Sequence, residues 1–247
     1  MPLSQADRLR NVAKLSLKEF SRSGFQLIEK PARQLFSHNA RGDLIKRDDT
    51  HHNQKLLAEM ALEFKHCSQS YNLKQSLKAS RDGSSLVYSP GCKVLFAIQF
   101  SGESAELVGI AVIVNLKEDV MEERHLNAME AAEVRLPRNG LFLELICAKP
   151  KTGAATYLLL SLLNKLATQK DAIVCNPTNE RARNLFDRHG YEEFVPGRND
   201  LAILDRSTAA DSEESYLSML PGYEQTMKFC TRGGVRDRNR TYWDCGR

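Results

Sequence analysis

Residues 141–195 constrain the fold more than any other stretch, because strand and helix signals alternate there without a break. LFLELICA (141–148) is apolar except for one carboxylate. The turn KPKTG (149–153) passes it to AATYLLLSLLNKLAT (154–168), an apolar run of helical length. A short strand pattern at 171–175, a helix pattern at 178–188 and a strand at 191–195 follow. Two strands joined by a turn precede this β-α-β-α-β order. Together they predict a mixed α/β sheet in one domain.

Upstream, residues 86–88 and 93–100 read as strands separated by Ser89-Pro90-Gly91. Ser101-Gly102-Glu103 turns the chain into a β-branched strand at 107–116. The acidic segment 118–133 reads as a helix, and Arg138-Asn139-Gly140 as a turn. Further toward the N-terminus, 7–20 has amphipathic helical spacing, either packed on the body or serving as a targeting or membrane-surface element. Residues 24–28 supply a first strand, 37–52 a polar loop, and 53–66 a helix with Leu56, Leu57, Met60, Ala61 and Phe64 on one face. Residues 201–204 read as a last strand and 205–217 as a loop. The expected organisation is an N-terminal helical segment (1–83) packed on or part of the domain, a core (84–204), and a C-terminal extension (205–247) with a basic tail.

In 247 residues no apolar run approaches the roughly 18–20 needed for a membrane span. Met1 to Arg10 lacks the apolar core of a Sec-type signal peptide. The six cysteines show no CxxC and no metal-like pairing. A reducing, cytoplasmic compartment is therefore expected, without a disulfide framework or structural zinc; export by a signal-independent route would leave no trace in this pattern. His51-His52 and His66-Cys67 lack a second half at ligand spacing, so no metal site is expected. The net charge of +4 divides unevenly: residues 1–41 carry +5, 42–227 carry −5 and 228–247 carry +4. An acidic body with two basic ends argues against a chain-wide nucleic-acid footprint.

The turn at 149–153 is the chemically suggestive feature. Small residues at a helix start let a ligand approach the backbone, and the unpaired N–H groups and dipole there suit a pyrophosphate. Lys149 and Lys151 add positive charge. A strand, a glycine turn and a helix also occur in folds that bind nothing at that point.

Asn179-x-x-Ala182-x-x-Leu185-Phe186-x-x-x-Gly190-Tyr191 resembles the Asn-x-x-Ala-x-x-Leu-Tyr-x-x-x-Gly-Phe segment of the GNAT acetyltransferase superfamily. Gly153-x-Ala155 is similar to the end of that family's Arg/Gln-x-x-Gly-x-Gly/Ala pyrophosphate loop, and the strand containing Val108-Gly109 to its upstream glycine-bearing strand. The resemblance covers roughly 84–204. It implies a mostly antiparallel mixed central sheet with flanking helices, and a splayed strand pair that binds acyl-CoA. By the resemblance, backbone groups of Ile146, Cys147 and Ala148 pair with the pantetheine arm. Lys149, Lys151, Thr152, Gly153, Ala154, Ala155 and Thr156 surround the pyrophosphate. Asn179, Arg183 and Phe186 complete the cofactor-binding set, with acetyl-CoA or another acyl-CoA as co-substrate. Two departures stand out: Pro150 replaces the family's Arg or Gln, and Phe186 replaces the Tyr that protonates the leaving thiolate.

For direct attack by an amine, Glu144 is the candidate general base, the alternative being a carboxylate that faces solvent or pairs with a cation. His125 is a second catalytic candidate, directed at an acceptor. Cys147 is either an acyl-accepting nucleophile or a buried structural thiol, with no histidine placed to activate it. The acidic stretch 118–133 either attracts a cationic acceptor, a small molecule or protein, or is a solvated helix. The leading expectation is an N-acyltransferase, most simply an acetyltransferase, acting on an amine. Its alternatives are a non-catalytic GNAT-like binding or regulatory module and a nucleic-acid-modifying enzyme on the same scaffold.

Overall fold

The computed structural model describes residues 24–205, apart from 69–70, 81–82, 102–103 and 169. The expected helix at 7–20, the loop expected at 205–217 apart from Asp205, which ends the last strand, and the basic tail lie outside the described residues.

A seven-stranded sheet organises the described chain, in the order β1-β4-β5-β6-β7-β9-β8. Its strands are β1 (Phe25–Pro31), β4 (Lys93–Ser101), β5 (Ser104–Asn115), β6 (Gly140–Ala148), β7 (Ala172–Cys175), β8 (Glu192–Val195) and β9 (Arg198–Asp205). Every junction is antiparallel except β6–β7, which is parallel. That junction needs a crossover, and α5 (Ala154–Thr168) provides it. The sheet is mixed and mostly antiparallel, as expected from the sequence.

Two apolar layers cover the sheet. On one face α5 lays Leu158, Leu159, Leu162 and Leu166 over Leu95, Ala111, Ile113 and Leu143, joined by Phe186 of α6 (Glu180–Arg188). Gly109 of β5 permits this contact: a Cβ there would stand 3.1 Å from the Ala154 Cβ and from a Leu158 methyl. The opposite face is covered by α1 (Ala32–Leu35), α2 (His52–Leu62), α3 (Leu73–Ser76) and α4 (Glu123–Ala131), over Phe96, Ile110, Val112 and Leu145. Residues before 84 thus contribute both an edge strand and much of this cover. Glu29 on β1 ties the edge inward, with Lys93 at 2.6 Å and Lys165 at 2.5 Å.

Four local expectations change. Residues 37–52 are not simply loop: β2 (Phe36–His38) and β3 (Leu44–Lys46) form a small antiparallel ribbon. The Asn39 side chain closes its turn by accepting from the N–H groups of Arg41 and Asp43. Residues 86–88 form a 3-10 turn instead of a strand, because the Ser85 hydroxyl accepts from the Val87 N–H and winds the chain. The helix expected at 118–133 is broken into a 3-10 turn at Glu118–Val120 and α4.

The fourth change concerns the cysteines. Cys67 and Cys147 are bonded to each other, with Cα atoms 4.9 Å apart across 80 residues of sequence. The expectation of free thiols throughout does not hold, and the cysteine argument for a reducing compartment goes with it. Cys92 and Cys175 are free and buried. No helix among the described residues is long and apolar enough to cross a membrane.

Candidate functional site

The site forms where β6 outruns its parallel neighbour. β6 pairs with β7 only from Gly140↔Ala172 to Leu143↔Cys175, whereas it stays paired with β5 as far as Gly109↔Ala148. Residues 144–148 therefore present a backbone edge toward the side where β7 has ended. The unequal strand lengths alone produce this free edge.

A bulge decides which side chains face where. Ile113 pairs with Leu143 and Val112 with Leu145, so Glu144 is the extra residue of β6. An inserted residue reverses the in–out alternation beyond it. Leu141 and Leu143 pack on the α5 face; past the bulge, Ile146 and Ala148 do so, while Leu145 and Cys147 join the opposite face. Cys147, on that opposite face, meets Cys67. The bulge leaves Glu144 beside the free edge.

Downstream, β6 runs into the turn that begins α5. Thr152 Oγ1 donates to the Lys149 carbonyl at 2.8 Å and accepts from the Ala154 N–H at 3.2 Å, so it caps the helix. Lys151 and Gly153 have φ of 64° and 80°, in the left-handed region that glycine adopts without strain. With Ala154 capped and the Tyr157 N–H bonded to the Gly153 carbonyl, the N–H groups of Ala155 and Thr156 stand at the helix start without an intrahelical acceptor. Across the gap, Asn179 Oδ1 accepts from the Ala182 N–H at 2.9 Å and starts α6.

These elements enclose a groove of about 580 Å³. Of the residues singled out in the sequence, Glu144, Ile146, Cys147, Ala148, Lys149, Lys151, Gly153, Ala154, Ala155, Thr156, Asn179 and Phe186 line it. Pro150 lines it too, and Lys149 makes an ion pair with Glu106 at 2.6 Å. Thr152 supports the loop as a cap without forming part of the lining. Arg183 is exposed and is not in the lining either; Arg181 and Arg188 of the same helix are. His125 is also outside it. Only 2% exposed, it lies 3.3 Å from Asp200, whose carboxyl is held well below the usual range by Arg198 first and then by His125.

The sequence did not point to the wall contributed by His66, Cys67, Ser68 and Tyr71. Tyr71 donates its hydroxyl proton to Glu144 Oε1. Burial pushes the Glu144 carboxyl above the usual carboxylate range, and the charge of Glu122 adds to this; the hydroxyls of Tyr71 and Ser76 offset it in part. Burial and the Glu144 charge likewise push the Tyr71 phenol upward. Glu122, outside the lining, accepts from Nδ2 of Asn176, which lines the groove, at 3.3 Å. Phe186 is buried and stacks at a tilt on Tyr191, ring centroids 5.1 Å apart.

The arrangement suits an extended ligand: a helix start flanked by lysines and arginines for phosphate, a strand edge for an amide-bearing arm, and a desolvated carboxylate at the far end of that edge. Among the described residues, no cluster of three or more His, Cys, Asp or Glu is spaced to hold a metal ion.

No family model and no characterised protein sequence matches the chain. Solved structures do. A crystal structure of AtaTR bound with acetyl-CoA shares 13% identity over 47% of this chain and 69% of its own, at a TM-score of 0.33. AtaT complexed with acetyl-methionyl-tRNAfMet shares 9% identity over 47% of this chain and 72% of that one, also at 0.33. A KacTA–DNA complex shares 13% identity over 74% of this chain and 95% of that one, at 0.37.

Proposed function

We propose that the protein is an acyl-CoA-dependent N-acyltransferase, acetyl-CoA being the simplest donor. The observation that carries this reading is the continuity of the free β6 edge, the capped start of α5 and the half-buried Glu144 within one groove. The donor's pantetheine arm extends along residues 146–148. Its pyrophosphate meets the N–H groups of Ala155 and Thr156, with Lys149, Lys151 and Arg188 supplying charge. Left-handed backbone at Gly153 lets the loop approach that closely.

When bound, the thioester supplies an activated acyl carbon. Glu144 accepts the proton that the attacking amine must lose, and its raised pKa brings it nearer to the working pH as a base. Tyr71 holds that carboxylate in one orientation. Glu122 and Glu144 together favour an acceptor that arrives as an ammonium, and proximity within the groove replaces a bimolecular encounter.

A second reading, a CoA-binding module without turnover, is favoured by Phe186, which offers no proton to a departing thiolate. Calorimetric titration with acetyl-CoA, followed by an assay of thiol release with primary-amine acceptors, separates the two. Saturable one-to-one binding with amine-dependent thiol release is expected. Binding without release would leave the module; no binding at millimolar acetyl-CoA would overturn both.

A further inference from the structure

We infer that the Cys67–Cys147 disulfide is a covalent capture site for free coenzyme A: the thiolate released in the groove exchanges with this bond and is held there as a mixed disulfide on Cys67. The inference rests on the acyl-CoA reading proposed above, and it adds an inhibited state in which the enzyme's own product plugs the groove.

The bond lies in the wall of the groove. Cys67 and Cys147 are both lining residues, and Cys147 belongs to the β6 edge, between Ile146 and Ala148, along which the donor arm extends. A cysteine pair that serves only as a staple needs no contact with a ligand's path; this one borders it. The other cysteines among the described residues are poorly placed for the same reaction. Cys175 also lines the groove, but it is 1% exposed and burial pushes its thiol well above the usual range. Cys92 is buried and outside the lining.

A thiolate is what the proposed reaction leaves behind. When the amine expels it from the thioester, Phe186 has no proton to return to it, and the Tyr71 hydroxyl already donates to Glu144. A bound CoA sulfur is thus nucleophilic beside a disulfide, and proximity favours the exchange. Cys67 is the sulfur open to attack: it is partly exposed, whereas Cys147 is 6% exposed. The CoA thiolate forms a bond to Cys67 Sγ, the Cys67–Cys147 bond breaks, and Cys147 leaves as a thiolate that takes up a proton. The exchange is redox-neutral and requires no further oxidant or reductant. Cys67 stays in place afterwards, because it packs on the core margin with Phe64 and Tyr71, and Ser68 is hydrogen-bonded to Tyr71. Cys147, once deprotonated, re-attacks Cys67 Sγ and expels CoA, so the capture is reversible. While it lasts, the pantetheine arm fills the donor's path and acetyl-CoA is excluded.

Mass spectrometry of the oxidised, full-length protein, intact and after digestion, tests the capture. Following incubation with millimolar CoA under nitrogen and an acid quench, an adduct of one CoA should appear on the Cys67 peptide. At equal concentration it should form about tenfold or more faster than the glutathione adduct, since glutathione lacks the groups that the groove holds. Saturating acetyl-CoA, which has no free thiol, should suppress it. Cys147→Ser removes the reversal: its free Cys67 should take CoA from CoA disulfide, lose acetyl-CoA affinity by about tenfold or more in calorimetry, and regain it with dithiothreitol. Cys147→Ala serves the same purpose should the serine variant fold poorly. Adduct formation no faster with CoA than with glutathione, an adduct confined to Cys230 or Cys245, or undiminished acetyl-CoA affinity of the adduct would each overturn the capture. If acetyl-CoA does not bind the unmodified protein, the acyl-transfer reading falls and this inference falls with it; binding without a Cys67 adduct removes the inference alone.

Discussion

At residue scale the proposed chemistry turns on Glu144. Its folded pKa is raised, so over the range above the usual 4.5 the folded chain retains a proton that the unfolded chain has released. The stability that neutral Glu144 contributes is complete below the unfolded pKa. It is lost as the pH rises through the folded value. Glu144→Gln should flatten that decline in a pH series of denaturant midpoints. Activity should run the opposite way: turnover rises with pH as the carboxyl ionises, with its acid limb displaced above 4.5. The same substitution should lower kcat by about 100-fold or more while leaving the acetyl-CoA dissociation constant unchanged, as read by thiol-release kinetics and calorimetry. Gly153 is the other decisive residue. At φ of 80°, Gly153→Val is strained by its backbone, and the branched side chain stands beside the exposed helix start. Acetyl-CoA affinity should fall by about tenfold or more in the same titration.

At the scale of elements, the seating of α5 on β5 determines where the phosphate end of the groove lies. Gly109→Val places atoms 3.1 Å from both Ala154 and Leu158 and pushes the start of α5 away from the sheet. A loss of about 1–3 kcal/mol in denaturant unfolding is expected, the usual cost of overpacking a filled core, together with weaker acetyl-CoA binding because the helix start has moved. Most of these elements were legible in the sequence. Apolar runs at 93–100, 107–116, 141–148 and 154–168 are long and well punctuated, and each is present within a few residues of where it was read. The ribbon of β2 and β3 was not legible, since Ser37, His38 and Lys46 lack alternation and the Asn39 turn signal sits among other polar residues. The break in the acidic helix was also missed, because composition carries no sign of where such a helix starts.

For the whole molecule, the disulfide closes 80 residues of chain and so restricts the unfolded state. Chain entropy sets the stabilisation at about 4–5 kcal/mol. Reduction should lower the free energy of unfolding by a comparable amount in guanidinium titrations, with Cys67→Ser reproducing the shift. The sequence could not announce this pairing. Cysteines at 67 and 147 have no motif spacing, and their contact depends on tertiary placement of the 63–72 segment and on the face that Cys147 occupies. The groove shows the same division. Its β6 and α5 sides and the start of α6 follow local patterns, and most of the residues expected there line it, Thr152 and Arg183 excepted. The Tyr71 wall comes from a distant stretch whose only local signature is polar, and Arg181 and Arg188 line the groove in place of Arg183 because α6's rotation sets which arginines face inward.

The single extra residue in β6 behaves like a detachable spacer in the strand. Deleting residue 144 would restore unbroken pleating without turning the later side chains over, because Leu143 and Leu145 already pair with the consecutive residues Ile113 and Val112 on opposite faces. Cys147 would still face Cys67, Ile146 and Ala148 would keep their layer, and the carboxylate alone would be gone. The proton acceptor is thus carried by one insertion that the covalent staple and the groove lining do not need. A chain with that deletion should keep its disulfide, titrating no additional free thiols, while losing amine-dependent thiol release.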